Sequence, residues 1–142
     1  MTYHIPLIVV ELENDNYHIL VEIKMQDDSS TFWVIDTGAS RTVMDSSLAH
    51  FSSPKEMDIL DEVQSAGING DPLQTQLAEG VEINIGNCKA VDLTLALIDL
   101  ENVNQLYEKY TDYRISGLIG SDLLQQYQAT IDYSTQELIL RN

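Results

Sequence analysis

The 142-residue chain holds one cysteine, Cys88, so no disulfide can form within it. Cys88 lies between two strand-like runs as a small, partly buried side chain, and no His/Asp constellation surrounds it to activate the thiol. Basic residues are scarce: seven Lys and Arg stand against 23 Asp and Glu, a formal net charge of −16. Phosphate binding needs a basic face, so nucleic acid is excluded as a partner, and an anionic membrane surface is excluded on the same ground. The acidity itself reads as a solvated, solubilising surface. Long apolar runs are missing too. The run "IPLIVV" near the start is too short for a membrane span or a signal core, and no basic segment precedes it. The expectation is a cytoplasmic protein. Repeats and low-complexity linkers are also lacking.

Several hydrolytic signatures are missing as well. His4, His18 and His50 are scattered, with no His-Glu-x-x-His pattern, and His18 reads as an exposed residue on the polar face of a strand. No Gly-x-Ser-x-Gly occurs. The acidic "ELENDN", Glu11 to Asn16, lacks the ligand spacing of an EF-hand loop and reads as a solvated hairpin turn. No metal or cofactor is expected.

What is present is strand pattern. Apolar residues make up 44 % of the chain, enough for a core, and the length suits one domain over 1–142. In "YHILVEIKM", Tyr17, Ile19, Val21, Ile23 and Met25 share one face, with His18, Glu22 and Lys24 opposite. Val81, Ile83 and Ile85 repeat the alternation, and Val91, Leu93, Leu95 and Leu97 continue it. "ATIDY" and "ELIL", separated by Ser134-Thr135-Gln136, predict a closing hairpin. Helical signals are few. "DSSLAHF" predicts a turn or two. "ENVNQLYEKY" places Val103, Leu106, Tyr107 and Tyr110 at helical spacing, and "SDLLQQY" offers Ser121 or Asp122 as a cap to a short helix. The fold class is mainly β with two or three short helices.

Between these elements lies "DEVQSAGINGDPLQTQLAEG". Asn69-Gly70 is a strong hairpin signal, because a type I′ turn needs positive φ at both central residues. Gly67 and Gly70 around Ile68 make a thin tip, and Pro72 suits an edge or free-standing hairpin. An ordinary surface hairpin and a functional flap both fit this stretch.

The chemically telling stretch is "TFWVIDTGASRTVMD". An apolar strand, Phe32 to Ile35, delivers Asp36, and Thr37-Gly38-Ala39-Ser40 follow. One reading is a β-turn whose aspartate pairs with local N–H groups. The other is catalytic. Two carboxylates a few ångströms apart cannot both ionise, so they share one proton; one then serves as base toward water and the other as acid toward a carbonyl. Gly38 permits a tight turn that brings its N–H near the carboxylate, and the hydroxyls of Thr37 and Ser40 can satisfy buried polar groups of the loop.

A second signature follows later, "SGLIGSDLLQQYQATIDYSTQELIL", Ser116 to Leu140. Together, Phe-Trp-Val-Ile-Asp36-Thr37-Gly38-Ala39-Ser40, the Asn-Gly-tipped hairpin, and Leu118-Ile119-Gly120 before a short helix and final hairpin resemble the retropepsin-like aspartic proteases. The likeness spans about Tyr17 to Leu140 and leans toward the bacterial single-domain members. It implies a closed retropepsin-like β-barrel with a flap hairpin whose tip is Gly67, Ile68, Asn69 and Gly70. It implies Asp36 as the catalytic residue, supported by Thr37, Gly38, Ala39, Ser40, Leu118, Ile119 and Gly120. Asp122 is expected to cap a helix and not to act as a second acid. Neither "MDSS" at Asp45 nor "IDYS" at Asp132 supplies another Asp-Thr/Ser-Gly. The resemblance therefore implies a two-fold homodimer in which Asp36 of each chain meets its mate, and a peptide or protein as substrate. The alternative is a catalytically silent binding or dimerisation module with the same fold. Three features depart from the family pattern: a longer flap, Ser40 where retroviral members often carry an acid, and a helical insertion between 101 and 116.

Overall fold

The computed structural model describes residues 1–56 and 76–142. The expected flap tip, Gly67, Ile68, Asn69 and Gly70, lies outside the described residues. Eleven strands are described: β1 Thr2–Pro6, β2 Ile8–Glu13, β3 Asn16–Lys24, β4 Ser30–Ile35, β5 Val43–Asp45, β6 Ser53–Glu56, β7 Gln76–Ile85, β8 Cys88–Ile98, β9 Ile115–Ile119, β10 Thr130–Asp132 and β11 Glu137–Arg141. A 3-10 helix spans Ser46–Phe51, and two α-helices, α1 Glu101–Tyr110 and α2 Ser121–Gln126, complete the order. The fold is mainly β with short helices, as expected.

Eight strands form one curled sheet in the order β2-β3-β4-β9-β5-β8-β7-β6. It bends far enough for β3 to meet β7 through Ile23↔Ile85 and Lys24↔Asn84, so the barrel closes only partly, by two residue pairs. A separate three-stranded sheet, β1-β11-β10, carries the two chain ends. The closing hairpin forms as its turn residues predict, with Asp132 opposite Glu137. In that turn the Asp132 carboxylate accepts from Ser134 Oγ, Ser134 N and Thr135 N.

The curled sheet has two apolar faces. Ile19, Val21, Ile23, Met25 and Trp33 fill the barrel interior together with Ile83, Ile85 and Leu95. The outer face of β2–β4 carries Val10, Leu12, Leu20 and Val34, and Leu100 and Tyr107 cover them from α1. The helical insertion thus has a packing role: it buries a second face that would otherwise meet water. Asn104, wholly buried on α1, ties the helix to the sheet. Its Nδ2 donates to the Leu100 and Ile115 carbonyls, and its Oδ1 accepts from Ile115 N at 2.6 Å.

The apolar faces of the strands hold with two exceptions. Tyr17, assigned to the apolar face of β3, is 55 % exposed because it sits at the strand's start, beyond the barrel interior. Val91 is equally exposed. Asp92 beside it adopts φ +56°, and the register slips by one between Ile83↔Ala90 and Val81↔Leu93. That bulge turns Val91 outward. The β7 strand restores the register through its own irregularity between Ala78 and Val81, where Gly80 has φ +68°.

Candidate active site

Asp36 sits one residue past β4, and three strands converge on it. β4 runs parallel to β9, with Val34 opposite Leu118 and Ile35 opposite Ile119. β9 in turn runs antiparallel to β5, with Val43 opposite Leu118. The chain therefore leaves β4, makes the Asp36–Thr42 loop and returns as β5, while β9 fills the space between them. Asp36 N donates to the Ile119 carbonyl at 2.9 Å, and Ser121 N donates to the Ala39 carbonyl at 2.8 Å. These bonds lock both ends of the loop to the β9–α2 junction.

Gly120 is needed there for space. A Cβ at this position would lie 2.8 Å from the Ala39 carbonyl oxygen and 2.8 Å from the Arg41 carbonyl carbon, both backbone atoms. Ile119 and Gly120 thus meet the loop, and Leu118 pairs with Val34 and Val43 of the flanking strands. Beneath them Trp33 is wholly buried, its ring filling the space above Gly117 that a Cβ would occupy. Its indole N–H donates to Thr31 Oγ1, whose hydroxyl donates to the Ile23 carbonyl.

Within the loop, Gly38 N donates to Asp36 Oδ1 at 3.0 Å, the interaction that the Asp-Thr-Gly order predicts. Ala39 N donates to the Asp36 carbonyl, closing the turn. The Asp36 side chain is half-buried, while Thr37, Gly38 and Ser40 are exposed. The hydroxyls of Thr37 and Ser40 have no hydrogen-bond partner among the described residues. The buried hydroxyl of the loop belongs instead to Thr42, which is wholly inaccessible. Thr42 Oγ1 donates to Asp122 Oδ1 at 2.6 Å and accepts from Gly120 N at 3.0 Å, and Thr42 N donates to Asp122 Oδ2 at 3.0 Å.

Asp122 is therefore not the N-cap residue it was expected to be, and its carboxylate serves Thr42 as well as the first turn of α2. The residue preceding α2 is Gly120, with no side-chain cap, and the Asp122 carboxylate is turned back to Thr42. A fully buried hydroxyl and N–H at Thr42 must find an acceptor, and the Asp122 carboxylate supplies it while its Oδ1 also accepts from Leu123 N of the first turn at 2.9 Å. The cap of the 3-10 helix is Asp45, which accepts from Ser47 N and the Ser47 hydroxyl, and from Leu100 N at 2.8 Å.

A cleft of about 440 Å³ opens beside the loop. Asp36 and Thr37 form one side, Tyr17 and His18 of β3 another, and Ile131 and Tyr133 of the closing hairpin a third. Asp36 is the one acid lining it among the described residues. His18 departs from its expected exposure. It is half-buried, and its Nδ1 lies 2.7 Å from the Tyr107 hydroxyl of α1. The two rings meet edge to face at 5.7 Å. Burial pushes the Tyr107 phenol up to about 12. Nothing in the period-2 pattern of β3 marks this pair, because its partner comes from a helix far along the chain. Cys88 is fully buried in the barrel interior, where burial raises its thiol further from reactivity.

No helix among the described residues is long and apolar enough to cross a membrane. A search of curated proteins returns no match. Among solved structures, the retroviral protease-like domain of Ddi1 from Leishmania major superposes with a TM-score of 0.54 at 15% sequence identity, covering 87% of each chain. A retropepsin-like aspartic protease from Rickettsia conorii aligns over 99% of this chain and 91% of its own, at 17% identity and a TM-score of 0.46. The aspartyl protease family model matches residues 21–123, a span that includes the Asp36 loop, β9 and the start of α2. The chain belongs to the aspartyl protease family and carries its retropepsin-like fold.

Proposed function

We propose that this protein is an aspartic endopeptidase that works as a homodimer, each chain supplying one Asp36. The observation that carries the reading is the placement of Asp36. A half-buried carboxylate stands on a loop locked to two strands, faces a cleft, and has no second acid beside it in that cleft among the described residues. Its Oδ1 takes a backbone N–H from Gly38, which leaves Oδ2 for a water or a second carboxyl. The exposure of Thr37, Gly38 and Ser40 supports a partner surface at this loop, because a rigid, apolar-backed turn with unpartnered hydroxyls suits a two-fold contact.

In the dimer, the two Asp36 carboxyls share one proton. The ionised member removes a proton from the attacking water while the protonated member donates to the scissile carbonyl oxygen. The tetrahedral centre then collapses with proton return to the leaving amine. This route requires no metal and no covalent intermediate. The substrate is a peptide in extended conformation, which the cleft walls meet with Tyr17, Ile131 and Tyr133.

The test is to replace Asp36 by Asn and to follow cleavage of a random peptide mixture by mass spectrometry, at mildly acidic and neutral pH. Loss of all cleavage with unchanged folding supports the reading. Equal cleavage by the variant ends it, and absence of any cleavage by the unsubstituted protein favours the silent binding module.

A further inference from the structure

His18 and Tyr107 link the insertion helix to the cleft, and neither the loop nor the dimer accounts for them. The Tyr107 residue is 1 % exposed, and the one hydrogen bond of its hydroxyl among the described residues is the 2.7 Å contact with His18 Nδ1. A buried hydroxyl must place its proton on an acceptor. The phenol therefore donates, Nδ1 accepts, and the neutral imidazole carries its own proton on Nε2. The second ring nitrogen makes no bond within the described residues, although His18 lines the cleft.

His18 and Asp36 are placed on the same cleft. The β3–β4 ladder ends at Leu20↔Val34, so His18 lies two residues before its last β3 residue and Asp36 two residues after its last β4 residue. Ile19, Val34, Ile35 and Ile131 give the cleft aliphatic wall, and Tyr17, Thr37 and Tyr133 line it as well. A donor held in one orientation by a buried partner fixes the orientation of whatever binds against it.

We infer that His18 is a substrate-binding residue whose Nε2–H, held in that tautomer by Tyr107, donates to a main-chain carbonyl of the peptide in the Asp36 cleft. The inference rests on the peptide-cleaving reading above. A neutral donor suits a carbonyl better than a carboxylate, and a chain of net charge −16 repels acidic side chains. Tyr107 is the positioning residue. It acts through His18, and α1 thereby serves the site as well as the second core.

Two measurements test this, one independent of turnover. Nitrogen-15 spectra of the His18 ring in Asp36→Asn should show a protonated Nε2 and a bare Nδ1, with the Nε2 signal moving on addition of a random decapeptide mixture. The opposite tautomer, or an unmoved signal, overturns the inference whether or not the unsubstituted protein cleaves anything. Cleavage kinetics are the second arm. The double variant His18→Phe with Tyr107→Phe removes the donor without orphaning a buried hydroxyl, and should raise KM about tenfold with kcat little changed. His18→Gln, whose amide can accept from Tyr107 and donate to the cleft, should restore most of the loss. The increase should be uniform across peptides of different side chains. An unchanged KM, an equal fall in kcat, or a rise confined to peptides with one type of side chain overturns the main-chain assignment.

Discussion

Thr42 and Asp122, 80 positions apart in sequence, are joined by two hydrogen bonds: the Thr42 hydroxyl donates to Oδ1 at 2.6 Å and the Thr42 N–H to Oδ2 at 3.0 Å. The same hydroxyl accepts from Gly120 N, so one threonine ties the end of the Asp36 loop to the start of α2. Removing the acceptor leaves a buried N–H and a buried hydroxyl unpaired. Asp122→Ala should therefore cost about 2–4 kcal/mol of stability in urea unfolding, whereas Thr42→Ser, which keeps all three bonds, should cost about 1 kcal/mol. Equal losses for the two variants would show that the hydrogen bonds are not what holds the junction.

Gly120 and Gly80 make a controlled contrast. A methyl at 120 meets fixed backbone of Ala39 and Arg41 at 2.8 Å, with no flexible side chain to give way. At Gly80 nothing lies within 4 Å, and the cost comes from the left-handed φ of +68° alone. Gly80→Ala should lose about 1 kcal/mol and keep cleavage. Gly120→Ala should lose about 3 kcal/mol or more and displace the Asp36 loop, with cleavage falling further than stability. Thermal unfolding and cleavage assays on both variants check the order.

This difference also marks what the sequence revealed. The Asp36 turn, the 101–110 helix and the closing hairpin are legible because each is written in contiguous residues. Asp36 with Gly38 is an i, i+2 contact, and the helix and hairpin announce themselves by local periodicity and turn chemistry. Asp122 is legible only in part, for the opposite reason. A helix-start aspartate looks like a cap, and the second acceptor role is imposed by Thr42, which reaches it through the topology. His18 was placed on a polar face because strand alternation treats the outer face as solvent, whereas α1 covers that face and buries Tyr107 against it. Val91 was misplaced because a one-residue bulge at Asp92 breaks the alternation without leaving a glycine to signal it.

The Tyr107 phenol supplies a pH test. In the unfolded chain it titrates near the ordinary tyrosine value of about 10, and in the folded chain burial raises it to about 12. The folded state therefore holds more protons between these values, so this contribution is intact below pH 10 and is lost as pH rises toward 12. The loss amounts to about 2–3 kcal/mol. The stability difference between the unsubstituted protein and Tyr107→Phe should shrink by that amount across pH 10–12. A constant difference would show that the phenol does not titrate with unfolding.

Net charge sets the salt dependence of assembly. Each chain carries −16, so bringing two together opposes like charges. Analytical ultracentrifugation should show tighter dimerisation as salt rises, through screening, and again at mildly acidic pH as carboxylates neutralise. Tighter assembly at low salt would mean that specific ion pairs dominate the interface.

The central claim is that two chains each contribute half of one hydrolytic centre, and subunit mixing tests it most directly. A fixed amount of unsubstituted protein is equilibrated with increasing Asp36→Asn protein, and peptide cleavage is measured. Cleavage should fall toward zero as variant chains capture active ones in mixed dimers with a single carboxylate. Cleavage that stays constant in a large excess of variant, while mixed dimers are shown to form, would contradict the shared site.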